Sequence, residues 1–199
     1  MASRKPHIVS PIKNIKIQKQ VEKTLLENFR AGRRNYTIFQ VGKATLLRVS
    51  DVLSLRYNDV FDNKGCVRTR TYTTDQKTGK PNTLYLRPVM DDLMKYNDWL
   101  NNNQLHSEWL FPSTTNPSKH ITRKQYYKII THAGDLLGLN YLGTHTMRKT
   151  GAYIVYKETN YNIGLVMQLL NHSSQRATLE YLGLDQFSRE SILDKIDFN

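Results

Sequence analysis

The sequence predicts a mainly α-helical domain with a small antiparallel β-sheet inserted near its middle, an α+β fold. Three observations predict it. Apolar residues recur at helical spacing from Gln18 to about Leu47 and again from Asp91 to Leu182. The one stretch rich in β-branched and aromatic residues lies between Val60 and Leu86. Strands and helices do not alternate regularly, which argues against a doubly wound parallel sheet.

The elements follow in order. Residues 1–17 scatter Arg4, Lys5, Lys13 and Lys16 among Pro6 and Pro11 with little periodicity, the pattern of an extended basic arm. From Gln18 a helix places Val21, Leu25, Leu26 and Phe29 on one face, with Gly32 positioned to end it. A second helix covers Tyr36 to Leu47, and Ser50-Asp51 opens a short third one carrying Val52 and Leu55. Three β-rich pieces follow: Val60 to Phe61, Cys66 to Tyr72 and Thr83 to Leu86. They are separated by turns at Asn63-Lys64-Gly65 and Lys77-Thr78-Gly79-Lys80-Pro81, which makes a sheet of two or three strands. Asp91 to Asn101 reads as a helix. Thr122 with Gln125 forms a capping box that opens another, bearing Tyr126, Ile130 and Ala133 and ending near Gly138. Further helices span 146–158, 162–170 and 174–182. The tail, Gln186 to Phe198, sets Ile192, Leu193 and Ile196 on one side of a short helix.

Composition narrows the partner. With 29 Lys and Arg against 17 Asp and Glu the chain carries +12. A surplus of that size repels itself and points to a polyanion, nucleic acid before an anionic membrane surface, with plain solubility as the alternative. Cys66 is the single cysteine, so neither an internal disulfide nor a Cys-based zinc cluster can form. No secretory signal follows Met1, and the most apolar run, Ile163 to Leu170, is too short to span a bilayer. The expectation is a soluble cytoplasmic protein with no membrane partner and no cofactor.

Three segments carry residues suited to phosphate chemistry. In Leu47-Arg48-Val49-Ser50-Asp51 an arginine sits at a helix-to-helix turn in apolar surroundings, where it needs an anion or a carboxylate. Asp51, three residues on, is the alternative, purely structural partner. In Thr144-His145-Thr146-Met147-Arg148 the His and Arg are three apart and share a helix side, a phosphate site or else a solvated face. In the third, His172 falls in a helix break and Tyr181 lies nine residues later. Tyr181 is either a functional phenol or a half-buried core residue like most of the 12 tyrosines.

Together these segments resemble the tyrosine recombinase (phage integrase) family. Its catalytic signature is an Arg in an L-R-x-x-E/D context, a Lys on a β-hairpin, an H-x-x-R pair, a His or Trp in an L-G-H-S-like context, and a Tyr nine residues later. Arg48 with Asp51, Lys77, His145 with Arg148, His172 and Tyr181 match in that order over about residues 20–185. Asn171 stands where the family usually has Gly, and the usual glycine just upstream of Arg48 is missing. Lys64 and Lys80 compete with Lys77 for the hairpin lysine.

The resemblance implies a site-specific DNA recombinase that cuts and rejoins strands through a 3′-phosphotyrosyl link. Arg48 and Arg148 would clamp the phosphate, doing a metal's work, and Lys77 would protonate the departing 5′-oxygen. His145 would help deprotonate Tyr181, and His172 would bind a phosphate oxygen. The implied partners are double-stranded DNA, three further copies in a tetramer on two duplexes, and accessory DNA-binding proteins, in a nucleoid-associated protein of bacterial or phage origin. The corresponding division is a basic arm (1–17), a catalytic domain (18–185) and a tail (186–199) that either docks on a neighbouring protomer or folds back on its own domain. Rival readings are a type IB topoisomerase, separable by relaxation of plasmids lacking a specific site, and an inactive DNA-binding module, separable by trapping a covalent product.

Overall fold

Asn14 starts the first helix. Its side-chain oxygen accepts hydrogen bonds from the N–H groups of Lys16 at 2.8 Å and Ile17 at 3.4 Å, so α1 (Ile15–Glu27) begins at Ile15 rather than at Gln18. The computed structural model of the chain describes residues 8–76, 79 and 81–184. Within the predicted arm, residues 9–13 lie against the domain. Ile12 is fully buried and its N–H donates to Thr150 Oγ1 at 3.0 Å, while the N–H of Ser10 donates to the Tyr141 carbonyl at 3.3 Å.

Gly32 opens α2 (Gly32–Thr45) instead of closing α1. A Cβ there would lie 1.9 Å from the carbonyl oxygen of Leu26, so the glycine serves a close helix–helix corner. Leu46 ends α2 in the left-handed region, φ 55°, and Arg48 is the N-cap of α3 (Val49–Leu53). The first β-rich piece is instead a helical turn, α4 (Tyr57–Val60), because Asp59 Oδ2 accepts from the Arg56 N–H at 3.0 Å. Phe61 keeps a single bridge to Val67. The sheet among the described residues is two-stranded and antiparallel, β1 (Arg70–Thr74) with β2 (Pro81–Tyr85), in register from Arg70↔Tyr85 to Thr74↔Pro81. Thr71 and Leu84 face the core, and Tyr72 and Tyr85 face outward.

A 3-10 turn (Arg87–Val89) leads into α5 (Met90–Asn102). The capping box forms as predicted: Thr122 Oγ1 accepts from the Gln125 N–H at 3.2 Å, and Gln125 Oε1 accepts from the Thr122 N–H at 2.8 Å. It opens α6 (Arg123–Leu136). Then come α7 (Thr146–Glu158), α8 (Ile163–Leu170) and α9 (Gln175–Tyr181), the last two N-capped by Asn162 and Ser174. The domain is therefore mainly α with a small antiparallel sheet. Among the described residues no helix is long and apolar enough to cross a membrane.

Two apolar clusters hold the fold. The larger joins α1 to α6 around Ile38, Phe39, Leu53, Phe61, Tyr96, Phe111, Tyr126 and Ile130. The smaller consists of Leu46, Ala152, Val166, Leu170 and Leu182, with Tyr181 packed at its edge. Helix α7 contributes to both, Met147 to the first and Ala152 to the second. Helices α2 and α7 cross closely at Gly151, where a Cβ would lie 2.0 Å from the Lys43 carbonyl oxygen and 2.6 Å from Leu46 Cδ2. Backbone cannot yield cheaply, so Gly151→Ala should separate the helices and destabilise the protein by about 1–3 kcal/mol. Chemical denaturation checks this, and an unshifted midpoint would mean the crossing is looser than it stands.

Candidate active site

The crossing of α2 and α7 matters because each helix delivers an arginine. The chain leaves α2 through the left-handed Leu46 and turns Arg48 toward the N-terminus of α7. The family's usual glycine is absent just upstream of Arg48, yet Leu46 adopts backbone dihedrals that favour glycine. Its buried side chain against Gly151 keeps that strained conformation in place. Arg48 Nη1 donates to Asp75 Oδ2 at the foot of the β1–β2 hairpin. The carboxylate partner is thus Asp75 and not the neighbouring Asp51. Asp51 is 2% exposed, and its Oδ1 accepts from the Gln76 N–H at 3.2 Å. Its Oδ2 has no hydrogen-bond partner among the described residues. Burial, reinforced by Asp75, raises the Asp51 carboxyl above its ordinary range despite the pull of the Gln76 N–H, Arg48 and Arg148.

His145 is the N-cap of α7 and Arg148 lies in its first turn. Arg148 is only 6% exposed, so this is no solvated helix face. Its Nη2 donates to the Leu170 carbonyl at 3.1 Å, satisfying an end carbonyl of α8, while its Nε is buried without a partner among the described residues. A guanidinium held this way has donor capacity left for an incoming anion.

Asn171 closes α8 with φ 55° and ψ 43°. This is the left-handed cap that glycine favours and asparagine tolerates, so the departure from the family's Gly leaves the turn intact. The turn aims His172 back at α9. His172 Nδ1 lies 3.1 Å from Thr178 Oγ1, whose own proton goes to the Ser174 carbonyl at 2.9 Å. Nδ1–H is therefore the donor, and Nε2 of the neutral ring is an acceptor. The His172 and Tyr181 rings meet edge to face, with centroids 5.2 Å apart. Tyr181 ends α9 with its hydroxyl buried and unpartnered among the described residues. Burial pushes its phenol up to about 12, against the pull of Arg148 and Arg48.

Five of the six residues singled out from the sequence thus meet. Arg48, His145, Arg148, His172 and Tyr181 line one open cleft of about 420 Å³, together with Asn171, Ser173, Ser174 and Ala177. Lys77 lies outside the described residues, as does the tail 186–199. Lys64 is described and sits at the Asp62–Gly65 turn; it does not line this cleft. Two further residues went unnoticed in the sequence. Asp75 gives no signal there, since its pairing with Arg48 spans 27 residues. Lys149 gives none either, and its Nζ lies 4.9 Å from the Tyr181 ring centroid.

The cleft is strongly positive, and its histidines feel it. Burial first, then Arg123, Arg148, Lys149 and Arg48, hold His145 below the ordinary 6.5. Burial first, then Arg148 and Arg48, do the same for His172. Both are neutral at pH 7. A histidine whose pKa falls on folding binds fewer protons folded than unfolded, so stability rises with pH through this window. The contribution is present above 6.5 and is lost as pH falls through the folded values. Melting temperatures should therefore drop below pH 6.5, and less so in His145→Gln and His172→Gln. Asp51 works in the opposite sense at lower pH, so parallel curves for wild type and both variants would show that the histidines do not govern this window.

Fold and cleft together define a phage integrase-type catalytic domain, and comparison agrees. The profile of the phage integrase family matches residues 16–186, and the chain belongs to that family. It is 35% identical over 181 residues to a protein described as probable integrase/recombinase YoeC of Bacillus subtilis (strain 168), covering 90% of this chain and 92% of that one. Among solved structures, the XerH site-specific recombinase bound to palindromic difH superposes with a TM-score of 0.66 at 17% identity. The match covers 98% of this chain but 53% of XerH, so the chain spans about half of that protein's length. A lambda integrase dimer bound to a COC′ core site gives a TM-score of 0.65 at 18% identity over the whole chain and 66% of the other. At these identities the superpositions establish the shared fold.

Proposed function

We propose that this protein is a site-specific DNA recombinase that cleaves and rejoins strands through a covalent link to Tyr181. The observation that carries the reading is the convergence of Arg48, His145, Arg148, His172 and Tyr181 on one cleft from positions far apart in the chain. A phosphodiester in that cleft meets two guanidiniums that clamp its non-bridging oxygens bidentately and stabilise the charge spread over them during displacement. The phenolic oxygen of Tyr181 attacks phosphorus, the bond to the 5′-oxygen breaks, and a 3′-phosphotyrosine remains. His145, neutral in the free protein, takes the phenol proton. Lys77 gives the proton to the departing 5′-oxygen. His172 faces the phosphate through Nε2; the arriving negative charge favours its protonated form, which donates to an oxygen. The phosphotyrosine keeps the energy of the broken bond, so rejoining needs no ATP.

Double-stranded DNA is the substrate that the charge of +12 serves. Lambda integrase has been solved as a tetramer bound to a Holliday junction, and the same assembly, four protomers on two duplexes, is the arrangement proposed here. The tail 186–199 is the proposed docking segment between protomers, and accessory DNA-binding proteins are proposed to select the site.

The test is incubation with nicked suicide DNA substrates drawn from the flanking genome. Covalent adducts should be resolved on denaturing gels and the modified peptide identified by mass spectrometry. Adducts on Tyr181 support the reading. Adducts on another residue, Tyr153 first among them, or none at all with any substrate, would overturn it.

A further inference from the structure

Lys149 follows Arg148 on α7 and is held from two sides. Its Nζ donates to the Val9 carbonyl at 2.8 Å and lies 4.9 Å from the centroid of the Tyr181 ring. The segment that supplies Val9 also reaches past the nucleophile. Lys13 Nζ donates to the Gly183 carbonyl at 2.7 Å, just beyond the end of α9, and lies 5.4 Å from the Tyr153 ring. Residues 9–13 therefore strap α7 to the end of α9, with Ile12 buried as the anchor.

We propose that Lys149 is a positioning residue for Tyr181: its ammonium, fixed by the Val9 carbonyl, holds the phenol ring in its reactive pose and favours loss of the phenolic proton. The proposal rests on the assignment of Tyr181 as nucleophile. A cation over a tyrosine face is attracted by the ring quadrupole, which orients the ring. A phenolate spreads its charge into the ring, so the same cation stabilises the attacking form. The groups facing Tyr181 from the elements packed on it are Arg48 at the start of α3, His145, Arg148 and Lys149 on α7 and its N-cap, and His172 before α9, while Lys13 is held at the Gly183 carbonyl beyond the end of α9. Asp51 and Asp75 stand behind the arginines, and Glu180 on the same helix is engaged by Arg176 at 3.2 Å. Among these, the ammonium of Lys149 is the cation placed over the ring itself.

The test compares wild type, Lys149→Met and Lys149→Arg for the rate of adduct formation on a suicide substrate across pH. Lys149→Met should slow adduct formation about tenfold and move the profile to higher pH. Lys149→Arg should recover most of the rate, since a guanidinium both stacks on the ring and donates to a carbonyl. A second readout needs no DNA. A fluorinated tyrosine at position 181, whose more acidic phenol titrates within the stable range, is followed by 19F NMR. Its midpoint should rise in Lys149→Met. If that variant does not fold, Lys149→Gln keeps a donor for Val9 and removes the charge, with the same expectations. An unmoved midpoint, or a rate and pH profile equal to wild type, would overturn the proposal. If Tyr181→Phe still forms adducts, the nucleophile assignment fails, while the titration continues to judge the coupling of Lys149 to Tyr181.

Discussion

Tyr181→Phe is expected to abolish covalent protein–DNA adducts while leaving the protein at least as stable as wild type. The first half follows from chemistry: the substitution removes the phenolic oxygen proposed to attack phosphorus. The second half follows from the structure. The Tyr181 hydroxyl is buried without a partner among the described residues. A buried hydroxyl without a partner costs about 1–3 kcal/mol, and phenylalanine removes that penalty. The contacts that position the ring, its edge-to-face meeting with His172 and the Lys149 ammonium over its face, need only the ring and survive. Gel assay and thermal melt on the same preparation check both halves. Adducts in the variant would place the nucleophile elsewhere, and a clear loss of stability would show that the hydroxyl is satisfied in solution.

The second large effect concerns the two arginines, which should respond alike in catalysis and differently in stability. Replacing either by lysine keeps the charge and loses the planar fork, so cleavage should fall by about 10²-fold or more, as with removal of one preorganised donor. Arg48 is partly exposed and pairs with Asp75, a contact that a lysine can also make, so Arg48→Lys should leave the melting temperature nearly unchanged. Arg148 is buried and ties α7 to the last carbonyl of α8. Arg148→Lys should therefore also destabilise by about 1 kcal/mol through the lost hydrogen bond. Near-normal cleavage by both variants would make these residues structural partners and nothing more.

Much of this arrangement is legible along the chain because it depends on local chemistry. Thr122 with Gln125, Asn162 and Ser174 are caps whose partners lie within three residues, and the helix at 146–158 has the bounds that its pattern predicts. The less legible parts depend on distant contacts. Gly32 reads as a helix end because glycine is a common terminator, yet it opens α2 where the Leu26 carbonyl approaches. Val60 has strand propensity, but Asp59 caps it into a helical turn, and only Phe61 stays extended to bridge Val67. Asp51 is the obvious partner for Arg48 by proximity, and the hairpin supplies Asp75 instead. Lys149 has no signature of its own, since its role depends on a carbonyl 140 residues away.

The small second core has a kinetic consequence. Among the described residues only five buried apolar side chains form the cluster that anchors α8 and α9, against the far larger set beneath α1 to α6. Regions with few apolar anchors open locally at free energies well below global unfolding. The unit carrying His172 and Tyr181 is thus the one that unlatches first, while Arg48, on the larger core, stays assembled. The half of the cleft that carries Arg48 and the half that carries His172 and Tyr181 are then governed by separate equilibria. The docked fraction of the second half multiplies directly into the observed rate. A duplex or a neighbouring protomer that shifts this fraction would throttle strand cleavage without touching a reacting atom.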